Sequence, residues 1–191
     1  GRHTDVYLGP FSFREYLQFH DMKVQSGDLY RSESKAGIKK MFEQFLFEGS
    51  MPEYTAYRDD ELLYRTYEDI IYKDIAVRHG ITNVKAMREL YHYLVTNICR
   101  PFSYRTLTKV SGIESPVTIK NYIHYLEQTY FAQQLAKFDF SLKKQRVNNK
   151  KVYVIDNAFF RKISFQYSGN KGWLLENLVA NILSRSGELY Y

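Results

Sequence analysis

Cationic side chains gather in one stretch of this chain. Residues 84–151 hold 12 of its 27 Lys and Arg but only 4 of its 21 Asp and Glu, a local net of +8 inside a chain whose formal net charge is +6. The remainder therefore nets −2. A basic patch confined to one small module is the electrostatic footprint of a polyanion partner. Lys120, Asn121 and His124 lie close enough in sequence to share one face of a helix and enter a groove. Arg105, Lys109, Lys143, Lys144 and Arg146 are suited to neutralising phosphates around them.

Helices and a hairpin must position these groups. A first helix over 84–98 carries Met87, Leu90, Tyr91, Leu94 and Ile98 on one face. Ser103 can cap a short second helix over 104–110, and Ser111-Gly112 turns the chain. Ser115 then offers a strong N-cap, and Pro116 fits the first helical position, where its missing N–H costs nothing. At 100° per residue, Ile119, Tyr122, Ile123, Leu126 and Tyr130 fall on one side of this third helix, the candidate recognition helix. Val117, Lys120, Asn121, His124 and Gln128 face away. Strand-like runs at 131–136 and 150–155 flank Lys143, Lys144, Arg146 and Asn148-Asn149, which reads as a hairpin with a basic loop. Helix, short helix, turn, helix and hairpin in that order outline a winged helix.

The first 83 residues read as helical. Val6-Tyr7-Leu8 is extended, and Ser12 with Glu15 three residues later forms a capping box that starts a helix. The polar stretch 22–35 reads as a loop, and 36–47 returns to helical spacing through Ile38, Met41, Phe42 and Phe45. Pro52 breaks the chain. Leu63, Tyr67, Ile70 and Ile71 then mark a helix from Asp60 to about Val77, which Gly80 ends. At the far end, 173–183 reads as a helix with Leu174, Leu178 and Ile182 on one face.

Composition narrows the class. A chain of 191 residues with 45% apolar and 17% aromatic content folds around one good core or two small ones. The lone Cys99 excludes an internal disulfide and suits a reducing compartment. No run approaches the roughly 18 apolar residues of a membrane span, and no signal-peptide pattern opens the chain, so the expected setting is cytoplasmic, without a membrane partner.

Most catalytic signatures are missing. The histidines at 3, 20, 79, 92 and 124 show no metal-ligand spacing, and no metal is expected. Cys99 follows an apolar helix and reads as a buried structural thiol. Neither G-x-S-x-G nor G-x-G-x-x-G occurs, and Ser168-Gly169-Asn170-Lys171-Gly172 has the wrong spacing to wrap a phosphate. The 18 tyrosines could form a base-stacking platform. Helical core spacing, as at Tyr64, Tyr67, Tyr91 and Tyr93, assigns most of them to packing instead.

A family resemblance runs through the chain in order. Gly1-Arg2, the stretch from Leu8-Gly9-Pro10-Phe11 to Glu15-Tyr16-Leu17, Glu48-Gly49-Ser50-Met51-Pro52-Glu53, Tyr72-Lys73-Asp74-Ile75, Thr118-Ile119-Lys120-Asn121-Tyr122-Ile123, Lys151-Val152-Tyr153-Val154-Ile155-Asp156 and Glu176-Asn177-Leu178-Val179 are similar to landmarks of the prokaryotic AAA-type ATPases with a C-terminal domain of unknown function. The resemblance implies that an N-terminal ATPase domain precedes Gly1-Arg2 and that a winged helix and a restriction-endonuclease-like fold follow. ATP and Mg are then expected only for that preceding domain, and no cofactor for this chain. Glu176 stands where nuclease-like folds place a first acidic residue. Its Asp and Glu-x-Lys partners are absent, so it is at most part of an incomplete site, and a role at the helix N-terminus is the alternative.

The expected fold is α+β and mainly helical: a helical segment over 1–83, a winged helix-turn-helix over 84–155, and a truncated nuclease-like element over 156–191. Two functional readings stand. One is a nucleic-acid-binding winged-helix module of an ATPase, with no enzymatic activity in this chain. The other is a protein-interaction or oligomerisation module docking on the ATPase domain, on a partner or on a second copy. The aromatic surplus supports the latter. Val117 and Gln128, which share the outward face, are not typical nucleic-acid contacts and weaken the former.

Overall fold

The computed structural model describes residues 2, 4, 6–25, 27–164 and 170–191; Gly1, His3, Ser168 and Gly169 of the sequence analysis lie outside them. The chain is a mainly helical α+β protein, with one two-stranded antiparallel sheet among the described residues. Helix α1, Phe13–Phe19, opens with the expected capping box: the Ser12 N–H donates to Glu15 Oε2 at 2.7 Å, and the Glu15 N–H donates back to Ser12 Oγ.

The expected loop over 22–35 is partly helical. A 3₁₀ turn spans Asp28–Tyr30, and α2 runs over Ser32–Glu48, beginning before its apolar spacing does. Its first buried side chain is Ile38, so the opening turn lies in solvent and leaves no apolar signature. Pro52 does not merely break the chain: it opens α3, Pro52–Tyr57. Helix α4, Asp60–Asp69, is capped by Asp59 and continues into a π-helical run, Ile70–Val77. Because Ile71 and Ile75 still face inward, side-chain spacing could not separate the two windings.

Helices α5 (Val84–Thr96), α6 (Tyr104–Ser111) and α7 (Pro116–Gln128) follow, capped by Asn83, Ser103 and Ser115. Strand β1, Ala132–Ala136, pairs with β2, Lys150–Val154, Ala132 opposite Val154 and Ala136 opposite Lys150. Phe102, between α5 and α6, bridges to Lys150 on the outer side of β2. Two spacing-based expectations fail here. The basic stretch between the strands is not a loop but a short helix, α8, Leu142–Val147, capped by Ser141. Tyr130 is exposed rather than packed, because α7 ends at Gln128 and Tyr130 takes a left-handed φ of 59° that turns it out. Tyr64 is likewise exposed, whereas Tyr67 and Tyr91 are buried as expected.

Two further helices close the molecule. Helix α9, Asn157–Ser164, contributes Ala158, Phe159, Phe160 and Ile163 to the core, and α10 spans Lys171–Leu183. The buried positions of α10 are Leu174, Asn177 and Ala180; Ile182, expected on the inner face, points to solvent. Two polar residues weld these pieces to the hairpin. Asn177 pairs with both backbone groups of Val154 at 2.9 Å, behaving like one residue of an added strand. Asp156, fully buried, accepts from the Ser50 N–H (2.7 Å), the Ser50 hydroxyl (3.0 Å) and the Ala158 N–H (2.7 Å). Burial pushes its carboxyl above the ordinary range against those bonds. A single apolar core runs from Leu46 to Ala180 through all three segments of the sequence. Among the described residues no helix is long and apolar enough to cross a membrane.

Candidate nucleic-acid interface

Helix α7 presents the candidate base-contacting side chains because its apolar face is consumed elsewhere. Ile119, Ile123 and Leu126 are buried, and the backbone carbonyl of Tyr122 accepts from the buried Tyr91 hydroxyl at 2.7 Å, which fixes the helix rotation. Lys120, Asn121 and His124 consequently stand exposed on the opposite side, with Val117 and Gln128. Arg105 and Lys109 are exposed on α6, and Lys143, Lys144 and Arg146 are exposed on α8. Among the described residues none of these Lys and Arg side chains forms an ion pair. Their charges are available to an external anion.

The structure brings two of the eight candidates into one concavity. Lys120 from α7 and Arg146 from α8 line an open cleft of about 560 Å³ together with Tyr104, Gln145, Lys150 and Tyr190. Arg105, Lys109, Asn121, His124, Lys143 and Lys144 lie outside it, on the surfaces around α6, α7 and α8. Lys150 was not foreseen. Its ammonium donates to the carbonyls of Gln145 (3.2 Å), Asn148 (3.4 Å) and Arg146 (3.5 Å), holding the end of α8 against the strand. Burial first, and the neighbouring Lys120 charge second, lower its pKa from the ordinary lysine value. Lys150 therefore adds a third cation to the wall of the cleft, its ammonium engaged with backbone carbonyls. The signal was present in Lys150-Lys151: consecutive strand residues face opposite ways, so one of the pair had to point toward α7 and α8.

Tyr104 was also missed. Its hydroxyl donates to Gln134 Oε1 at 3.0 Å, while the backbone and side-chain N–H groups of Gln134 donate to the two oxygens of Glu127. This relay ties α6, β1 and the last turn of α7 together. Glu127 is therefore engaged internally, its carboxyl raised by burial, and does not oppose the basic face.

Glu176 is engaged with the hairpin. It sits beyond the first turn of α10, so it does not serve the helix N-terminus. Its Oε1 accepts from Lys151 Nζ at 2.7 Å and from the Tyr153 hydroxyl at 2.8 Å. Paired with a cation across to β2, it acts as a clamp between helix and hairpin. Among the described residues no three His, Cys, Asp or Glu side chains converge as a metal site. Cys99 is buried, its thiol pushed up to about 12 by desolvation and directed at the Trp173 carbonyl.

Comparison with known proteins places the chain. The family described as "Domain of unknown function (DUF8612)" matches residues 39–167. The chain belongs to this DUF8612 family. An uncharacterized protein of Methanocaldococcus jannaschii is 31% identical to it over 98% of this chain and 43% of its own length. An uncharacterized protein of Haemophilus influenzae is 24% identical over 98% of this chain and 46% of its own length. The chain thus spans less than half the length of the curated relatives it matches. No solved structure matches it. The DUF8612 match runs from within α2 past the end of α9, and so contains α6, α7, the hairpin and all eight candidate interface residues, but not Glu176.

Proposed function

We propose that this DUF8612 chain is a nucleic-acid-binding winged-helix module, the non-catalytic part of a longer AAA-type ATPase whose ATP and Mg sites belong to a separate N-terminal domain. The observation that carries the reading is the basic cleft: three cations from α7, α8 and β2 converge, and among the described residues none of them forms an ion pair. The order α5, Phe102 bridge, α6, α7, β1, β2, with the single-residue Phe102 bridge beside β2, supports the winged-helix assignment. Lys120, Asn121 and His124 would approach the nucleic acid from α7, with Arg105, Lys109, Lys143, Lys144 and Arg146 holding phosphates on either side. A buried, protonated Cys99 suits a reducing cytoplasm.

The test is fluorescence anisotropy of the 191-residue chain against a generic duplex across a salt series, beside a variant with Lys143, Lys144 and Arg146 changed to alanine. Each phosphate contact adds about 0.9 to the slope of log affinity against log salt. The variant is therefore expected to bind more weakly, with a slope shallower by up to about 2 to 3. Absence of binding at low salt refutes the reading. The surface then belongs to the second reading, docking on protein, which draws support from exposed Leu175, Val179, Ile182 and Leu183 on the outer face of α10.

A further inference from the structure

A row of three aromatic rings outside the core leads away from the basic cleft. Tyr190 lines the cleft itself. Its ring meets Phe138 at a centroid distance of 5.9 Å, and Phe138 meets Phe140 at 5.2 Å, both edge to face. Phe138 is 52% exposed and Phe140 95% exposed. A single exposed phenylalanine is ordinary on a protein surface. Two such rings one residue apart, in contact with each other and through Phe138 with Tyr190, in a stretch of sequence that also carries the exposed Lys137, Lys143, Lys144 and Arg146, are an organised surface.

The ladder is also held in place. The Tyr191 N–H donates to the Ala136 carbonyl at 3.1 Å, and the Phe138 N–H donates to the Tyr191 carbonyl at 3.0 Å, so the segment carrying Tyr190 lies alongside the end of β1. Asp139, between the two phenylalanines, accepts the N–H of Ser141, the residue that caps α8, at 2.9 Å. The carboxylate of Glu188 at the cleft rim accepts from the Tyr190 hydroxyl at 2.8 Å.

A duplex keeps its base faces stacked inside and offers this surface only phosphates. A strand with unpaired bases offers both phosphates and free π-faces, and base-on-aromatic stacking next to a cationic groove is how sequence-tolerant single-strand binding works. We propose that this side of the chain takes nucleic acid with unpaired bases, its phosphates in the cleft of Lys120, Arg146 and Lys150 and its bases on Phe140 and Phe138. The proposal rests on the nucleic-acid reading above and adds the class of strand.

The experiment compares a labelled oligothymidine strand with a blunt duplex of the same length, against the full chain, Phe140→Ala and Phe140→Trp. Phe140 makes no core contact, so its replacement leaves the fold intact. Expected is tighter binding of the single strand, weakened roughly 5- to 100-fold by Phe140→Ala, restored by Phe140→Trp, with the salt slope and the duplex affinity unchanged. Equal loss on strand and duplex, or no loss on either, overturns the unpaired-base proposal while duplex binding upholds the nucleic-acid reading. No binding of either overturns both. Phe140-dependent binding to vesicles containing phosphatidylglycerol, without strand binding, overturns both as well and assigns the tip to an anionic membrane surface.

Discussion

Replacing Gly49 with alanine is expected to be among the most damaging single changes in the protein. Gly49 has φ 79° and ψ −171°, a region essentially restricted to glycine, where another residue costs about 1 to 3 kcal/mol. A Cβ there would stand 1.9 Å from Asp156 Oδ1, 2.7 Å from Ala158 Cβ and 2.8 Å from the Ala158 backbone nitrogen. The last two belong to the first turn of a packed helix, so the carboxylate must yield. Moving it removes the acceptor of three buried donors, at about 1 kcal/mol each. Together these reach about 4 to 6 kcal/mol, comparable with the whole stability of many domains. Gly112→Ala is the control: its φ of 69° imposes the left-handed cost, but nothing stands within 4 Å of the added carbon, so about 1 to 2 kcal/mol is expected. Urea unfolding followed through Trp173, the single tryptophan, reads both. A Gly49→Ala loss within about 1 kcal/mol of the Gly112→Ala loss would refute the account of the Gly49–Asp156 contact.

Two other outcomes follow from buried groups. Asn177→Leu keeps the volume but strips the Val154 N–H of its acceptor, whereas the Val154 carbonyl keeps the Asn181 amide at 2.7 Å; a loss of about 2 to 4 kcal/mol in urea unfolding is expected, and a neutral result would mean the pairing is dispensable. Cys99, protonated in the fold with its thiol held up to about 12, contributes stability fully present below the unfolded-state thiol pKa near 8.5 and lost as pH rises from there toward 12. Between pH 8.5 and 9.5 the wild type should lose about 1 kcal/mol more than Cys99→Ala; parallel pH profiles would show that burial does not hold the proton.

Local signals in the sequence were strong wherever chemistry and geometry coincide within a few residues. Ser12, Ser103 and Ser115 each accept the N–H three residues on, as their positions before apolar periodicity required. Ile119, Ile123 and Leu126 face inward, leaving Lys120, Asn121 and His124 outside, because a regular helix obeys its own period. What failed depended on distant partners. Asn177 takes an inner position beside Leu174 and Leu178, since its amide substitutes for a strand, while Ile182, which apolar patterning placed there, is exposed. The cation cleft needed the register of β2 to aim Lys150, and α8 needed Lys150 to receive its last carbonyls. Neither relation is written in the neighbouring residues.

Two of the seven stretches that carry the resemblance, 48–53 and 151–156, meet in space. Gly49 supplies the closeness, Ser50 two donors, and Asp156 the acceptor that receives them across 106 positions of sequence. The same stretch of β2 carries Lys151, paired with Glu176, and ends where Asn177 grips Val154. The base of the hairpin is thus fixed to α2, α9 and α10 by contacts that are costly to break, while its far end, with α8, carries its charges and phenylalanines in solvent. A firmly packed base beneath an exposed basic tip is the arrangement that the proposed nucleic-acid reading requires, since the contacts that orient the tip lie within the fold and its charges stay on the surface.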